Sequence, residues 1–210
     1  MVFVKRIIHS AIMLKNKNLV LYIDPYKIQD DSEKADLILI SHDHYDHLSI
    51  EDIKKIVKDE TKIILPKSCI EKVLDVFEGK NIVGVIPEQT QDIMGIKIET
   101  IPAYNTNKQF HKKVNDWIGF VITIDDKRIY YAGDTDLIPE MNLLYNIDLS
   151  ILPVSGVYVM DPEEAANATT IIDQKLAMPC HYGDAVGTEE DAKLFKRKTF
   201  CDVVFDEVEL

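Results

Sequence analysis

Three histidines and two carboxylates crowd into one hexapeptide, His42-Asp43-His44-Tyr45-Asp46-His47, soon after the apolar run Leu37 to Ile40. A solvated loop gains no stability from clustered imidazoles. A transition metal does need them: neutral imidazole nitrogens and carboxylate oxygens suit zinc, manganese, iron or nickel, and the i, i+2 spacing of His42 and His44 lets both reach one ion. Further candidate ligands stand where other apolar runs end. Asp24 closes Leu19 to Ile23, Asp134 follows Ile129 to Ala132 in Gly133-Asp134-Thr135, and His181 follows Leu176 to Cys180. The ends of buried strands are where a rigid scaffold presents chemistry. Singly, each has an ordinary reading as well: a turn residue before Pro25, a hairpin end or helix cap, and a structural imidazole.

The elements that must position these groups follow from periodicity. Val2 to Leu14 and Leu19 to Ile23 read as two strands joined around Lys15-Asn16-Lys17-Asn18, and Leu37 to Ile40 as a strand covered on both faces. Ser49 offers a helix N-cap, with Ile53, Ile56 and Val57 along one face. Strands are expected at Lys62 to Leu65, Ile82 to Ile86, Ile96 to Ile101, Ile118 to Ile124, Arg128 to Ala132, Ile147 to Pro153, Leu176 to Met178 and Val203 to Phe205. Helices are expected at Lys67 to Phe77, Pro162 to Ile172 and Glu189 to Lys196. The pattern suggests two sheets with helices on their outer faces.

Composition narrows the function classes. A chain of 210 residues with 46% apolar residues can bury a substantial core as one domain. Its net charge of −12 argues against a general nucleic-acid binder, which works through basic surfaces. Cys69, Cys180 and Cys201 are odd in number and scattered, so reduced core thiols are expected rather than a disulfide framework. Met1 to Asn18 lacks the apolar core of a signal peptide and no run has the length of a membrane span, so the chain reads as soluble and cytoplasmic.

His42-x-His44-x-Asp46-His47, with Asp24 before it and Asp134 and His181 after it, resembles the metallo-β-lactamase superfamily of metal-dependent hydrolases. His9-Ser10-Ala11, Asp24-Pro25, Pro102-Ala103 and Ala132-Gly133-Asp134-Thr135 are similar to a branch of small hydrolases. That branch includes L-ascorbate-6-phosphate lactonase and the phosphodiesterase that cleaves N-acyl phosphatidylethanolamine. The resemblance spans roughly residues 5 to 190. It implies an α/β fold, a four-layer αββα sandwich, over a single domain of residues 1–210. It further implies that His42 and His44 bind a first metal, that Asp46, His47 and His181 bind a second, and that Asp134 bridges them. Asp24 would lie beneath the metal loop, and His9 behind the ligands or at the pocket edge. One or two divalent ions per chain follow, zinc foremost, with manganese, iron or nickel as alternatives.

One departure matters. The family carries a first-site histidine near Pro102-Ala103, and this chain has Asn105 at that place. An amide oxygen is a poorer ligand for such ions than an imidazole nitrogen. Either the first site is weakened or another donor replaces it; His111, the remaining histidine, would fold back as that donor, line the pocket against substrate, or lie solvated in its polar loop. The loop from Asn105 to Trp117 carries Lys108, Lys112 and Lys113, so it is expected to form a pocket wall that attracts an anionic substrate group. The expected activity is hydrolysis of an ester-type bond, phosphodiester or lactone, in a small anionic molecule. Hydroxide generated at the metal would attack, and Asp46 would be able to take its proton. The alternative is a non-catalytic metal-binding sensor or scaffold with a degenerate first site. A homo-oligomer is compatible with the sequence, whereas a membrane or nucleic-acid partner is not expected.

Overall fold

Alternation along the first strands sends Val4, Ile12, Leu14, Leu21 and Ile23 to one face, and a second sheet packs against that face. The computed structural model describes residues 1–77 and 81–210. The first sheet has the order β14-β1-β2-β3-β4-β5-β6. Its members are β1 (Phe3–Ile8), β2 (Ala11–Lys15), β3 (Val20–Ile23), β4 (Leu37–Leu39), β5 (Lys62–Pro66), β6 (Asn81–Val85) and β14 (Glu207–Glu209). The second has the order β13-β12-β11-β10-β9-β8-β7. It is built from β7 (Thr90–Ile93), β8 (Ile96–Pro102), β9 (Ile118–Ile124), β10 (Lys127–Tyr131), β11 (Ile147–Pro153), β12 (Gln174–Cys180) and β13 (Asp202–Val203).

Each sheet passes from antiparallel to parallel pairing. β1, β2 and β3 run antiparallel, whereas β3, β4, β5 and β6 are parallel. β7 to β10 are antiparallel, whereas β10 to β13 are parallel. Parallel strands share a direction, so the ends of β3, β4, β10 and β12 can present their following loops together, as open α/β sheets do for their ligands.

Three apolar clusters define the layers. Leu14, Leu21, Ile23, Leu37 and Leu39 meet Ile98, Phe120, Ile129, Tyr131 and Ile151 between the sheets. Tyr22, Ile38, Ile40 and Ile63 pack outward against Ile53 and Ile56 of α1 (Ile50–Ile56). Tyr130, Ala132 and Leu152 pack outward with Ala165 and Ala168 of α3 (Pro162–Ile171) and Phe195 of α4 (Glu189–Lys198). The expected αββα arrangement is therefore observed. Ser49 caps α1 as read from the sequence, and Asp161 and Thr188 each close a capping box on the later helices.

Several elements differ from expectation. The stretch Val2 to Leu14 is two strands, because the chain turns at His9-Ser10 with His9 in the left-handed region at φ 50°. The expected helix Lys67 to Phe77 is a 3₁₀ turn, Lys67–Cys69, followed by the four-residue α2 (Glu71–Leu74). β7 and β14 were not anticipated: TQDI and EVE are short and polar, and β14 gains its place by pairing with β1. The strand expected at Val203 to Phe205 is Asp202–Val203, and β14 follows it. Among the described residues no helix is long and apolar enough to cross a membrane.

Gly119 brings β9 close to β10 just ahead of Asp134. A Cβ there would stand 2.5 Å from the Tyr131 carbonyl oxygen and 2.6 Å from that of Ala132. Any side chain at this position would push apart the strands that carry Asp134 to its place.

Candidate metal centre

Five loops that follow strands converge at one edge of the two sheets. His9 follows β1, Asp24 follows β3, the hexapeptide follows β4, Asp134 follows β10 and His181 follows β12. His9, Asp24, His111 and His181 all hold left-handed backbone, at φ 50°, 45°, 53° and 59°. Non-glycine residues held so cost energy locally, and such conformations gather where surrounding contacts impose them at functional sites.

Two donor sets result. In the first, His42, His44, His111 and Asp134 offer atoms that all lie within 4.8 Å of one another. The Nε2 of His42 is 3.0 Å from Nδ1 of His44, which is 3.2 Å from Nε2 of His111. In the second, His9, Asp46, His47 and His181 converge equally closely. Asp134 lies between the sets: its Oδ2 is 3.3 Å from His111 Nε2 and 3.1 Å from His181 Nε2, and its Oδ1 is 3.4 Å from His47 Nε2.

Hydrogen bonds behind the rings fix which nitrogen is free. Asp24, fully buried, accepts from the Ser41 backbone N–H at 2.7 Å and the Ser41 hydroxyl at 2.5 Å. It also accepts from the Tyr131 hydroxyl at 2.6 Å and from His47 Nδ1 at 2.7 Å. A carboxylate only accepts, so His47 carries a proton on Nδ1, and Nε2 is the nitrogen left to face a metal. The Ser41 hydroxyl has given its one hydrogen to Asp24, so at 2.9 Å it accepts from His42 Nδ1–H. His111 Nδ1–H donates to the Tyr158 carbonyl at 2.9 Å. His181 Nδ1–H donates to the Ser155 hydroxyl at 2.8 Å, which turns toward the Val157 carbonyl. Partners of this kind set the tautomer and orientation of metal-binding histidines.

This arrangement fits a metal. His42 and His111 turn Nε2 toward His44 Nδ1, at 3.0 and 3.2 Å, and toward Asp134 Oδ2, at 3.7 and 3.3 Å, a cluster of nitrogen and oxygen atoms that a shared cation would satisfy. His47 Nε2 and Asp134 Oδ1 are buried and have no hydrogen-bond partner. The donors, imidazole nitrogens and carboxylate oxygens, are those that borderline ions take.

The electrostatics follow from burial and mutual contact. Burial would raise the Asp134 carboxyl, but His181 and His47 outweigh it and hold Asp134 well below the usual carboxylate range. Burial would lower His47, yet Asp134 and Asp24 together push it well above an ordinary histidine. Burial, reinforced by His47, keeps His42 well below the usual value, and burial with His111 does the same more weakly for His44. Asp46, despite burial, is lowered by its bond from His9 Nε2 at 3.2 Å.

The structure separates the roles that the sequence left open for Asn105 and His111. His111 supplies the fourth donor of the first set. The Asn105 amide uses both hydrogens on the carbonyls of Phe110, at 3.1 Å, and Tyr158, at 2.7 Å. Its backbone N–H donates to the His111 carbonyl at 2.7 Å, closing the loop that folds His111 back. Asn105 thus stands behind the imidazole rather than in its place.

The loop from Asn105 to Trp117 does wall the cavity, through Phe110 and His111, but its lysines are not among the lining residues. Lys108 pairs with Asp136, and Lys113 lies 2.8 Å from Glu140, so neither cation lines the cavity over the two donor sets. Lys112 is exposed and is not among the lining residues. That cavity, of about 230 Å³, is walled by His44, Asp46, His111, Asp134 and His181 and rimmed by side chains from four loops. Sequence reasoning did not single out Ser41, Tyr131, Ser155 or Tyr158. The first two stand beside ligands at strand ends, a signal that was available. Ser155 and Tyr158 join the site only through long-range folding.

Comparison with known proteins agrees with this geometry. A profile described as a beta-lactamase superfamily domain matches residues 14–182. The chain is 30% identical over 210 residues to a UPF0173 metal-dependent hydrolase of Pyrococcus abyssi, covering 94% of this chain and 92% of that protein. It therefore belongs to the beta-lactamase superfamily and, within it, to the UPF0173 metal-dependent hydrolases. Among solved structures, a metal-dependent hydrolase from Parabacteroides distasonis superposes with a TM-score of 0.85 at 33% identity, over 97% of this chain and 91% of that one. A Zn-dependent hydrolase of the metallo-beta-lactamase superfamily from Thermotoga maritima shares the fold. Its TM-score is 0.67 at 20% identity, over 100% of this chain and 92% of that one.

Proposed function

We propose that this chain hydrolyses an ester-type bond, a phosphodiester or a lactone, with two divalent ions held on either side of Asp134. The observation that carries the proposal is the pair of donor sets meeting at one carboxylate, with five histidines whose free nitrogens point inward. His42, His44 and His111 would hold the first ion, and Asp46, His47 and His181 the second, with Asp134 shared. Zinc suits the donor set foremost, and manganese, iron or nickel would be accepted by the same atoms. When bound, such ions supply Lewis acidity and bring the pKa of water down toward about 7, so that hydroxide is available at neutral pH.

The protein's own groups supply the rest. Asp46 keeps one oxygen on His9 Nε2 at 3.2 Å and borders the cavity, from where it would take the proton of the attacking water. Asp24, through Ser41, Tyr131 and His47, locks the ring that faces Asp46 and Asp134. The choice of an ester-type bond rests on the similarity to the ascorbate-phosphate lactonase and N-acyl phosphatidylethanolamine phosphodiesterase branch. A domain spanning residues 1–210 would carry the whole activity.

The test is turnover of bis-p-nitrophenyl phosphate and of a simple γ-lactone by protein stripped with chelator and then given Zn²⁺ or Mn²⁺. Activity that returns with the metal and vanishes in Asp134→Asn, with the variant still folded by circular dichroism, is expected. Full activity in the stripped protein or in Asp134→Asn would refute the assignment.

A further inference from the structure

The cavity above the donor sets has a rim of one chemical character. Tyr45 comes from the metal loop, Phe110 from the loop that returns His111, Tyr158 from the loop after β11, and Ala185 and Val186 from the loop after His181. Tyr45, Phe110 and Tyr158 are 68%, 49% and 46% exposed, and around one cavity they make a patch rather than scattered instances. Phe110 and Tyr158 already pack on each other at 4.5 Å between ring centroids. Among the described residues no lysine or arginine lines the cavity. The nearby cations are matched elsewhere: Lys27 lies 2.6 Å from Asp184, Lys108 pairs with Asp136, and Lys113 with Glu140.

The rim is tied to the donors. The Tyr158 carbonyl accepts from both His111 Nδ1 and the Asn105 amide, and Tyr158 holds a left-handed backbone at φ 64° to present it. Phe110 immediately precedes His111, and its carbonyl is held by the same Asn105 amide. Aromatic groups fixed by the contacts that orient a ligand form a preorganised surface beside the reacting position, where recognition of the remainder of a substrate belongs. The volume of about 230 Å³ lies below the range of roughly 300–1,000 Å³ typical of sites for drug-sized ligands, so the occupant is small.

We infer that the group flanking the scissile bond is uncharged and apolar, an aryl group of about benzoyl size, and that Phe110, Tyr158 and Val186 select it. This inference rests on the reading of the site as a metal-dependent hydrolase. It replaces the expected recognition of an anion by the basic loop. A carboxylate at the far end of such a group would give up part of its water against this rim, with no lysine or arginine among the described lining residues to receive it.

The test uses zinc-loaded protein of verified metal content, titrated calorimetrically with two chelating probes that differ by one carboxylate, benzohydroxamate and 4-carboxybenzohydroxamate. The uncharged probe is expected to bind about tenfold more tightly, as a carboxylate that loses part of its water without gaining a cation would demand. Phe110→Lys and, from a different loop, Val186→Lys should each close that gap by about the same factor while retaining zinc. Equal or tighter binding of the carboxylated probe to the unaltered protein would overturn the inference, as would a ratio unmoved in both lysine variants. Binding of neither probe to protein that holds zinc would overturn the reading of an open metal site, and the inference with it.

Discussion

Replacing His111 and Asn105 one at a time separates a metal donor from the residue that orients it. His111→Ala removes one of the three inward nitrogens of the first set, leaving His42, His44 and the shared Asp134. Asn105→Ala leaves every donor in place and removes two hydrogen bonds, to Phe110 and Tyr158, that hold the His111 loop. His111 keeps its own bond to the Tyr158 carbonyl, so its ring is loosened rather than lost. Loss of such an orienting partner costs about 10–100-fold in metal affinity, or roughly 1.4–2.7 kcal/mol. Trp117 makes the assay site-specific: it is the chain's one tryptophan, and its ring centroid lies 4.8 Å from that of His42 and 4.9 Å from that of His44. Titrating the metal-free protein with Co²⁺ should quench Trp117 as the first set fills. The quench should be absent over the same range in His111→Ala and shifted by about 10–100-fold in Asn105→Ala. The reasoning is refuted if His111→Ala quenches like the unaltered protein, or if Asn105→Ala loses the ion outright while His111→Ala keeps it.

Two other perturbations reach the site's supports and the fold. Tyr131→Phe removes one buried donor from Asp24 without opening a cavity. It should lower stability by about 1.5–3 kcal/mol in urea unfolding and weaken zinc binding by about tenfold, and an unchanged zinc affinity would mean that Asp24 does not need this bond. Asp52 takes the Lys27 and Ile28 backbone N–H groups and the Ser49 hydroxyl, and lies 3.0 Å from Lys55. Although burial opposes it, these contacts lower its carboxyl below the ordinary value. A depressed folded-state pKa contributes stability above the unfolded value near 4, and that contribution fades as pH falls through the folded one. Asp52→Asn should therefore cost about 1–3 kcal/mol at pH 7 and much less near pH 3, and an equal cost at both would contradict the linkage.

Much of the candidate donor set was legible because its residues sit directly after apolar strands. Asp24, the hexapeptide, Asp134 and His181 each close a run whose burial can be read from its side chains. His9 was harder to place: Val2 to Leu14 has no glycine or asparagine to mark the turn at His9-Ser10, so two strands read as one. The exchange between Asn105 and His111 depends on a loop folding back through the Asn105 N–H to His111 carbonyl bond, which no local pattern encodes. Charge was the least legible feature. Lys108 and Lys113 look like a basic wall in the sequence, yet Asp136 and Glu140, far along the chain, neutralise them. The aromatic rim likewise assembles from residues over a hundred positions apart, each unremarked in its own segment.

The central claim, two ions sharing Asp134, is tested most directly by the metal content of protein purified without chelator or affinity metal. Elemental mass spectrometry should find about two divalent ions per chain, falling to about one in His111→Ala. One ion or fewer in the unaltered protein, even after reconstitution with Zn²⁺ or Mn²⁺, would contradict it.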